Sequence, residues 1–301
     1  MPSCGPPRTG SSWGDGMKYD AIVIGSGQGG NPLSYALAER GWSVALIEKK
    51  YLGGTCINTG CTPTKTMIAS AQVAHYARGA ARWGVKVESV TIDLPAVVAR
   101  KNAVVQIFRG GNERKVANHK TLRLYRDHAR FVGPHTVQVG GDILESEKIF
   151  IDTGTRPDCP PIPGLESSAY LTNGSIMELQ EIPEHLVILG GGYIGLEFGQ
   201  MFRRFGSRVT VVHNGAQILA REDADVIAEL QEALEAERIS FLLNARATRI
   251  EKKDGQIVGT DLEGSHFHRF EGTHPAGLLT VHRHGCVGWM KEEPVVFARQ
   301  F

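Results

Sequence analysis

Long apolar runs are missing from this chain: no segment approaches the ~18 continuous apolar residues that a membrane span requires. Charge of one sign is not in excess either. Lys plus Arg number 33 and Asp plus Glu 32, leaving a formal net charge of +1. Neither a nucleic-acid backbone nor an anionic membrane surface is an expected partner for so balanced a chain. Cysteine is scarce, with 5 in 301 residues, too few for a disulfide scaffold. That scarcity points to the cytosol, where a disulfide is catalytic more often than structural. Residues 1–16 are rich in Pro, Gly and Ser and lack the apolar core of a secretory leader, so they read as a disordered tail before Met17.

Glycine is plentiful, at 36 residues, and it clusters. Tyr19–Ile24 is a short β-branched run of the kind that forms a buried parallel strand. It leads straight into Gly25-Ser26-Gly27-Gln28-Gly29-Gly30, a G-x-G-x-x-G turn. A helical stretch follows from Pro32 to Arg40, then a second strand, Ser43–Ile47, ending in Glu48. This strand–turn–helix–strand–acid order is that of a dinucleotide-binding unit. Gly25 permits the tight turn, Gly27 lets backbone approach a pyrophosphate, and Gly30 lets the helix pack on the strand. The helix start offers oriented N–H groups to the anion, and Glu48 suits the ribose hydroxyls of an adenosine.

Cys56 and Cys61 come next, within Leu52–Lys65. On an ideal helix, residues five apart are rotated by about 140° and separated by about 7.5 Å along the axis, beyond ordinary disulfide reach. The intervening Asn58, Thr59 and Gly60 are poor helix formers, so they can bend the backbone and bring the sulfurs together. From Thr62 the pattern turns helical, which puts Cys61 at a helix start, where a thiolate is favoured. Zinc ligation and two inert buried thiols are the other readings of such a pair. Zinc needs four ligands at recognisable spacings, and no second pair lies nearby. Cys4, Cys159 and Cys286 stand alone and read as incidental.

The glycine pattern then repeats. Leu186–Leu189 is a buried-strand run followed by Gly190-Gly191-Gly192-Tyr193-Ile194-Gly195. A helix through Leu196, Phe198, Met201 and Phe205 follows, and then a strand over Arg208–Val212. That strand ends at His213-Asn214, where an NAD site would carry an acid. The missing acid favours NADPH over NADH, with Arg221 a candidate phosphate partner.

Read together, these segments resemble the family of glutathione reductase, dihydrolipoamide dehydrogenase and mercuric reductase. The resemblance rests on Gly53–Lys65 (GGTCINTGCTPTK) behind the first glycine turn, and covers Lys18 to Gly264. It implies an α/β fold of two Rossmann-like, three-layer ββα dinucleotide-binding domains, the second inserted in the first. Residues 17–157 would form the FAD-binding domain with the cysteine pair, 158–182 an interdomain crossing, and 183–264 the NAD(P)H-binding domain.

By the same resemblance, FAD would lie on Gly25–Gly30, Glu48, Lys49, Gly54, Thr55, Lys65, Thr153 and Gly154, and NAD(P)H on Gly190, Gly192, Tyr193, Ile194, Gly195 and His213. Cys56 would attack substrate and Cys61 would lie nearest the flavin. Lys65 would sit near the flavin ring and pair with Glu197, and Tyr193 would gate the flavin. The implied reaction passes electrons from NAD(P)H through FAD to the cysteine disulfide, and on to a small disulfide or Hg(II). The wording of the first domain leans toward mercuric reductase, while Thr62 and Thr64 depart from the residues most familiar in the family and blur the subfamily. Asp152 stands where the family's A-T-G-x-x-P segment has alanine.

Residues 265–301 carry five of the 11 histidines and show no clear periodicity. They read as an out-of-frame tail in place of the family's continuation. His266, His268, His282, His284 and Cys286 match no metal-ligand spacing, so no metal is expected. The family's dimerisation domain has no counterpart here, and a catalytically incompetent remnant is the alternative reading.

Overall fold

Every residue of the strand Ala21–Ile24 is buried, and so is every residue of Val44–Ile47. Burial on both faces is what a near-continuous apolar strand demands. The computed structural model describes residues 16–168, 170–253, 256–260, 266–268 and 277–280, and these divide into two compact units. One contains the described residues up to Thr62 together with Ala103–Thr155. The other contains Pro63–Asn102 and the described residues of Arg156–Val287.

Among the described residues, four α-helices precede the second glycine turn: α1 (Gly30–Glu39), α2 (Gly54–Asn58), α3 (Cys61–Arg78) and α4 (Leu94–Asn118). In the first unit four parallel strands run in the order Leu122–Tyr125, Val44–Ile47, Ala21–Ile24, Ile149–Ile151. Because strand side chains alternate, Ile22, Ile24, Ala45 and Ile47 pack on one face with Val137, Val139 and Leu144 of an antiparallel sheet. Val23, Val44 and Leu46 pack on the other with Ala38 of α1 and Val116 of α4. The result is three layers: sheet, sheet, helix. Each fully buried Val, Leu or Ile contributes about 1.5–3 kcal/mol relative to exposure.

Two sequence expectations need correcting. In sequence, Leu122 to Ile151 is a series of short alternating segments with turns at Gly133-Pro134 and Gly140-Gly141-Asp142, a pattern that predicts small antiparallel strands. Only Ala129–Gly133, Thr136–Val139 and Asp142–Glu145 pair that way, whereas Leu122–Tyr125 and Ile149–Ile151 join the parallel sheet. Local alternation is the same in both cases, and the partner strand decides the direction. Pro95 to Lys120 carries a helical apolar spacing (Val97, Val98, Val104, Val105, Ile107, Val116) that Gly110-Gly111 is expected to interrupt, yet the helix runs through them. Each glycine costs about 1 kcal/mol against alanine, and buried Val98, Val105 and Val116 anchor the helix on either side.

The second unit holds another parallel sheet, ordered Ile239–Leu242, Arg208–Val212, His185–Leu189, Gly277–Thr280. Its last strand falls inside the stretch that showed no periodicity. Helices α5 (Tyr193–Phe205) and α6 (Ala224–Ala236) cover one face. Leu186, Ile188, Val209 and Val211 meet Phe198, Met201, Phe202, Ile227 and Leu234 there. Met67, Ala71, Leu94 and Val98 share this core, which accounts for Pro63–Asn102 belonging to this unit. Val187, Leu189 and Val212 face the other way, toward Leu165 and Ile250.

A polar cluster ties α3, α5 and the end of α6 together. Arg204 donates Nη2 to Glu237 Oε1 at 2.6 Å and Nε to Oε2 at 2.8 Å, and Gln200 adds a bond to Oε1 at 2.8 Å. Burial pushes the Glu237 carboxyl up, but Arg204, Gln200 and His75 outweigh it and hold it below its ordinary 4.5. A depressed carboxyl stabilises the fold fully above its unfolded value and stops doing so as pH falls through the folded one. Glu237→Gln is therefore expected to cost about 1–3 kcal/mol near neutrality by leaving Arg204 poorly paired. The gap from wild type should close as thermal melts are taken below pH 4.5.

Candidate functional site: two glycine turns and a cysteine pair

The first glycine turn is shaped by close backbone contact. Gly25 takes φ +105°, and a Cβ there would lie 2.0 Å from the Asp152 carbonyl oxygen. A Cβ on Gly30 would lie 2.0 Å from the Gly25 carbonyl oxygen. Gly29, the residue before α1, brings no side-chain cap. Glu48 closes the adjoining strand and accepts from Ser26 Oγ at 2.6 Å and Ser26 N at 3.2 Å. Lys49 is exposed. Thr153 and Gly154 follow the strand Ile149–Ile151, with Gly154 at φ +65°.

The cysteine segment is seated on this turn. Gly53 N donates to Ser26 O at 2.9 Å, Gln28 Nε2 reaches Gly53 O at 3.4 Å, and a Cβ on Gly54 would stand 2.6 Å from Gly27 Cα. Thr55 and Cys56 then lie on α2. As the poor helix formers predicted, the helix stops: α2 ends at Asn58, and a new helix begins at Cys61 itself. Gly60 makes the join tight, since a Cβ there would lie 2.9 Å from Thr55 O and 3.2 Å from Cys56 Cα. Cys56 is half-buried and Cys61 exposed.

Sequence reading missed the residues that brace this segment. Asn58 Nδ2 donates to Gly54 O at 2.8 Å and Leu52 O at 3.1 Å, while its Oδ1 accepts from Arg109 Nε. The Arg109 guanidinium also lies 3.8 Å from the centroid of the Tyr51 ring. Only the placement of an amide between two cysteines hinted at Asn58; nothing local marks Arg109.

In the second unit, Gly190 takes φ +111°. Gly192, Ile194 and buried Gly195 carry the chain into α5. His213 Nδ1 accepts from Gly191 N at 3.2 Å, which places the imidazole against the turn. A cavity of about 1110 Å³ opens here, lined by Gly190, Gly192, Tyr193, His213, Arg221 and Glu222 among others. That volume suits a dinucleotide arm. Tyr193 donates its hydroxyl to Glu222, and this bond raises the phenol above its ordinary range. Lys65 and Glu197, both in this unit, form an ion pair.

The sequence pattern of a family described as pyridine nucleotide-disulphide oxidoreductase matches residues 19–270. This chain belongs to that family. Among curated relatives, the probable pyridine nucleotide-disulfide oxidoreductase RclA of Escherichia coli K12 is 38% identical over 248 residues, covering 80% of this chain and 52% of RclA. A mercuric reductase of Streptomyces lividans is 34% identical over 252 residues, covering 82% and 53%. A dihydrolipoyl dehydrogenase of Bacillus subtilis is 33% identical over 244 residues, covering 76% and 51%.

The solved HOCl-induced flavoprotein disulfide reductase RclA from E. coli superposes with a TM-score of 0.76 at 34% identity, covering 89% of this chain and 57% of that one. Its Cu(II) complex gives 0.75 at 34% identity, covering 87% and 55%. The chain spans about half the length of the curated relatives it matches.

The first turn fits the family's flavin dinucleotide: a glycine cradle at a helix start whose preceding residue, Gly29, brings no cap of its own, an acid at the neighbouring strand end, and the cysteine segment against it. Among the described residues there is no cluster of three metal-ligating side chains, and no helix long and apolar enough to cross a membrane. Of the histidine-rich candidates, His266 and His268 lie on a described strand. His282, His284 and Cys286 lie outside the described residues.

Proposed function

We propose that this chain is the nucleotide-binding and redox portion of a flavin-dependent oxidoreductase. It would take electrons from NADPH, with FAD on the first turn, to a Cys56–Cys61 disulfide and on to a small disulfide or Hg(II). One observation carries this reading: Gly54 packs on Gly27 and Gly60 on Cys56, which seats the cysteine pair on the glycine turn. FAD supplies the chemistry that links a two-electron hydride donor to one-sulfur-at-a-time thiol exchange.

The residues have distinct tasks. Two electrons and two protons convert the Cys56–Cys61 disulfide to two thiols. Cys56, on the short helix, attacks a sulfur of the substrate disulfide and releases one substrate thiol. Cys61 then attacks Cys56, releases the second and restores the pair, so the electrons balance. Lys65, held by Glu197, supplies a positive charge one helical turn beyond Cys61. Tyr193 lines the cavity of the second unit and is bonded to Glu222. The reading of this chain as cytosolic, with a small molecule rather than a macromolecule as its substrate, belongs to the same proposal.

His213 in place of an acid supports NADPH, because no carboxylate at that strand end would repel a 2′-phosphate. Stopped-flow flavin reduction is expected to be at least about tenfold more efficient with NADPH than with NADH. His213→Glu should reverse the order, and equal rates with both donors would defeat the assignment. The substrate panel is oxidised thiols, Hg(II) and, because a solved relative is a Cu(II) complex, Cu(II).

A further inference from the structure

Asp152 stands where the resemblance leads one to expect alanine, and the fold gives the residue a position. Its backbone N–H bonds Ile24 O at 2.7 Å, so the residue is fixed at the end of the parallel sheet, beside the first glycine turn. From there its carboxylate enters the cradle. Oδ2 accepts from Gly30 N, the first N–H of α1, at 2.6 Å. Around it are the bare Cα positions of Gly27 and Gly29, where a Cβ would stand 3.1 Å from the carboxylate oxygens. The only other carboxylate bonded to this loop is that of Glu48, on Ser26, among the described residues.

We infer that Asp152 is a specificity-determining residue that limits the affinity of the first site for FAD, standing in the glycine cradle as a resident anion. This rests on the reading of that turn as the FAD site. Two effects of the carboxylate oppose each other. In the protein without cofactor it satisfies an N–H that Gly29 leaves uncapped and complements the positive end of α1. When a dinucleotide lies on the turn, the same charge stands beside a doubly negative diphosphate drawn to that same helix start. An amide would keep the hydrogen bond and remove the repulsion. The chain consequently holds its flavin more loosely than the fold permits, and releases it more readily as the bare chain.

The test is FAD binding by the full chain, followed by flavin-fluorescence titration and calorimetry, for wild type and Asp152→Asn. At low ionic strength the asparagine variant is expected to bind FAD about tenfold more tightly, with the difference shrinking toward none near 1 M salt. Asp152→Ala, which removes charge and cap together, should also bind more tightly but melt lower as the apoprotein. It keeps the test open should the amide misfold. Equal or weaker binding by the charge-free variants overturns the inference while leaving the FAD assignment intact. So does a tightening that salt does not diminish. If neither wild type nor variant binds FAD, both fall.

Discussion

Cys61→Ser is expected to abolish disulfide reduction, by more than about a thousandfold, the scale on which loss of a covalent participant acts. Flavin reduction by NADPH should persist. The reason is the division of labour at the break between α2 and α3. Cys61 opens α3, a position at which a helix favours a thiolate, and in the proposed mechanism it is the sulfur nearest the flavin. Cys56→Ser should be equally inactive, because no thiol then remains on α2 to attack substrate.

The two variants should differ in colour. Cys56→Ser keeps Cys61 and should retain a long-wavelength charge-transfer absorbance, whereas Cys61→Ser should lose it. Turnover by either variant near the wild-type rate would remove the pair from the reaction. A band that survives in Cys61→Ser and vanishes in Cys56→Ser would exchange their roles.

Gly30→Ala should damage the first unit severely. Its Cβ would lie 2.0 Å from the Gly25 carbonyl oxygen, a backbone atom that cannot rotate away. Either α1 lifts from the strand Ala21–Ile24 or the turn opens. Overpacking of this sort costs about 1–3 kcal/mol and often more, and either movement spoils the cradle. A lower urea midpoint with FAD binding lost is the expected result. Gly111→Ala is the comparison, since a Cβ there meets nothing within 4 Å on a regular helix. Its stability should match wild type or rise by up to about 1 kcal/mol. If both alanines behave alike, steric contact at the turn is not what makes Gly30 necessary.

Both glycine turns were legible because each sits between a strand and a helix whose apolar spacing is explicit, and a turn in that setting has few alternatives. The helix start at Cys61 was nearly legible, as Asn58, Thr59 and Gly60 cannot sustain a helix. What escaped sequence reading depends on partners distant in the chain. Nothing near Leu122 or Ile149 says that these strands border Val44–Ile47 and Ala21–Ile24, because burial by other segments makes that choice. Arg109 meets Asn58 across 51 positions, and Asp152 meets Gly30 across 122. Asp152 was visible as a departure from a familiar pattern, but only the fold shows where its carboxylate goes. Gly110-Gly111 misled because a local propensity was outweighed by the burial of α4 on either side.

The most direct measurement is an anaerobic absorbance spectrum of the purified chain with FAD, before and after one equivalent of NADPH. A flavin spectrum that bleaches and gains a long-wavelength band would show hydride entry and a Cys61 sulfur against the flavin, as proposed here. A chain that takes up no FAD, or whose bound flavin NADPH leaves oxidised, would contradict it.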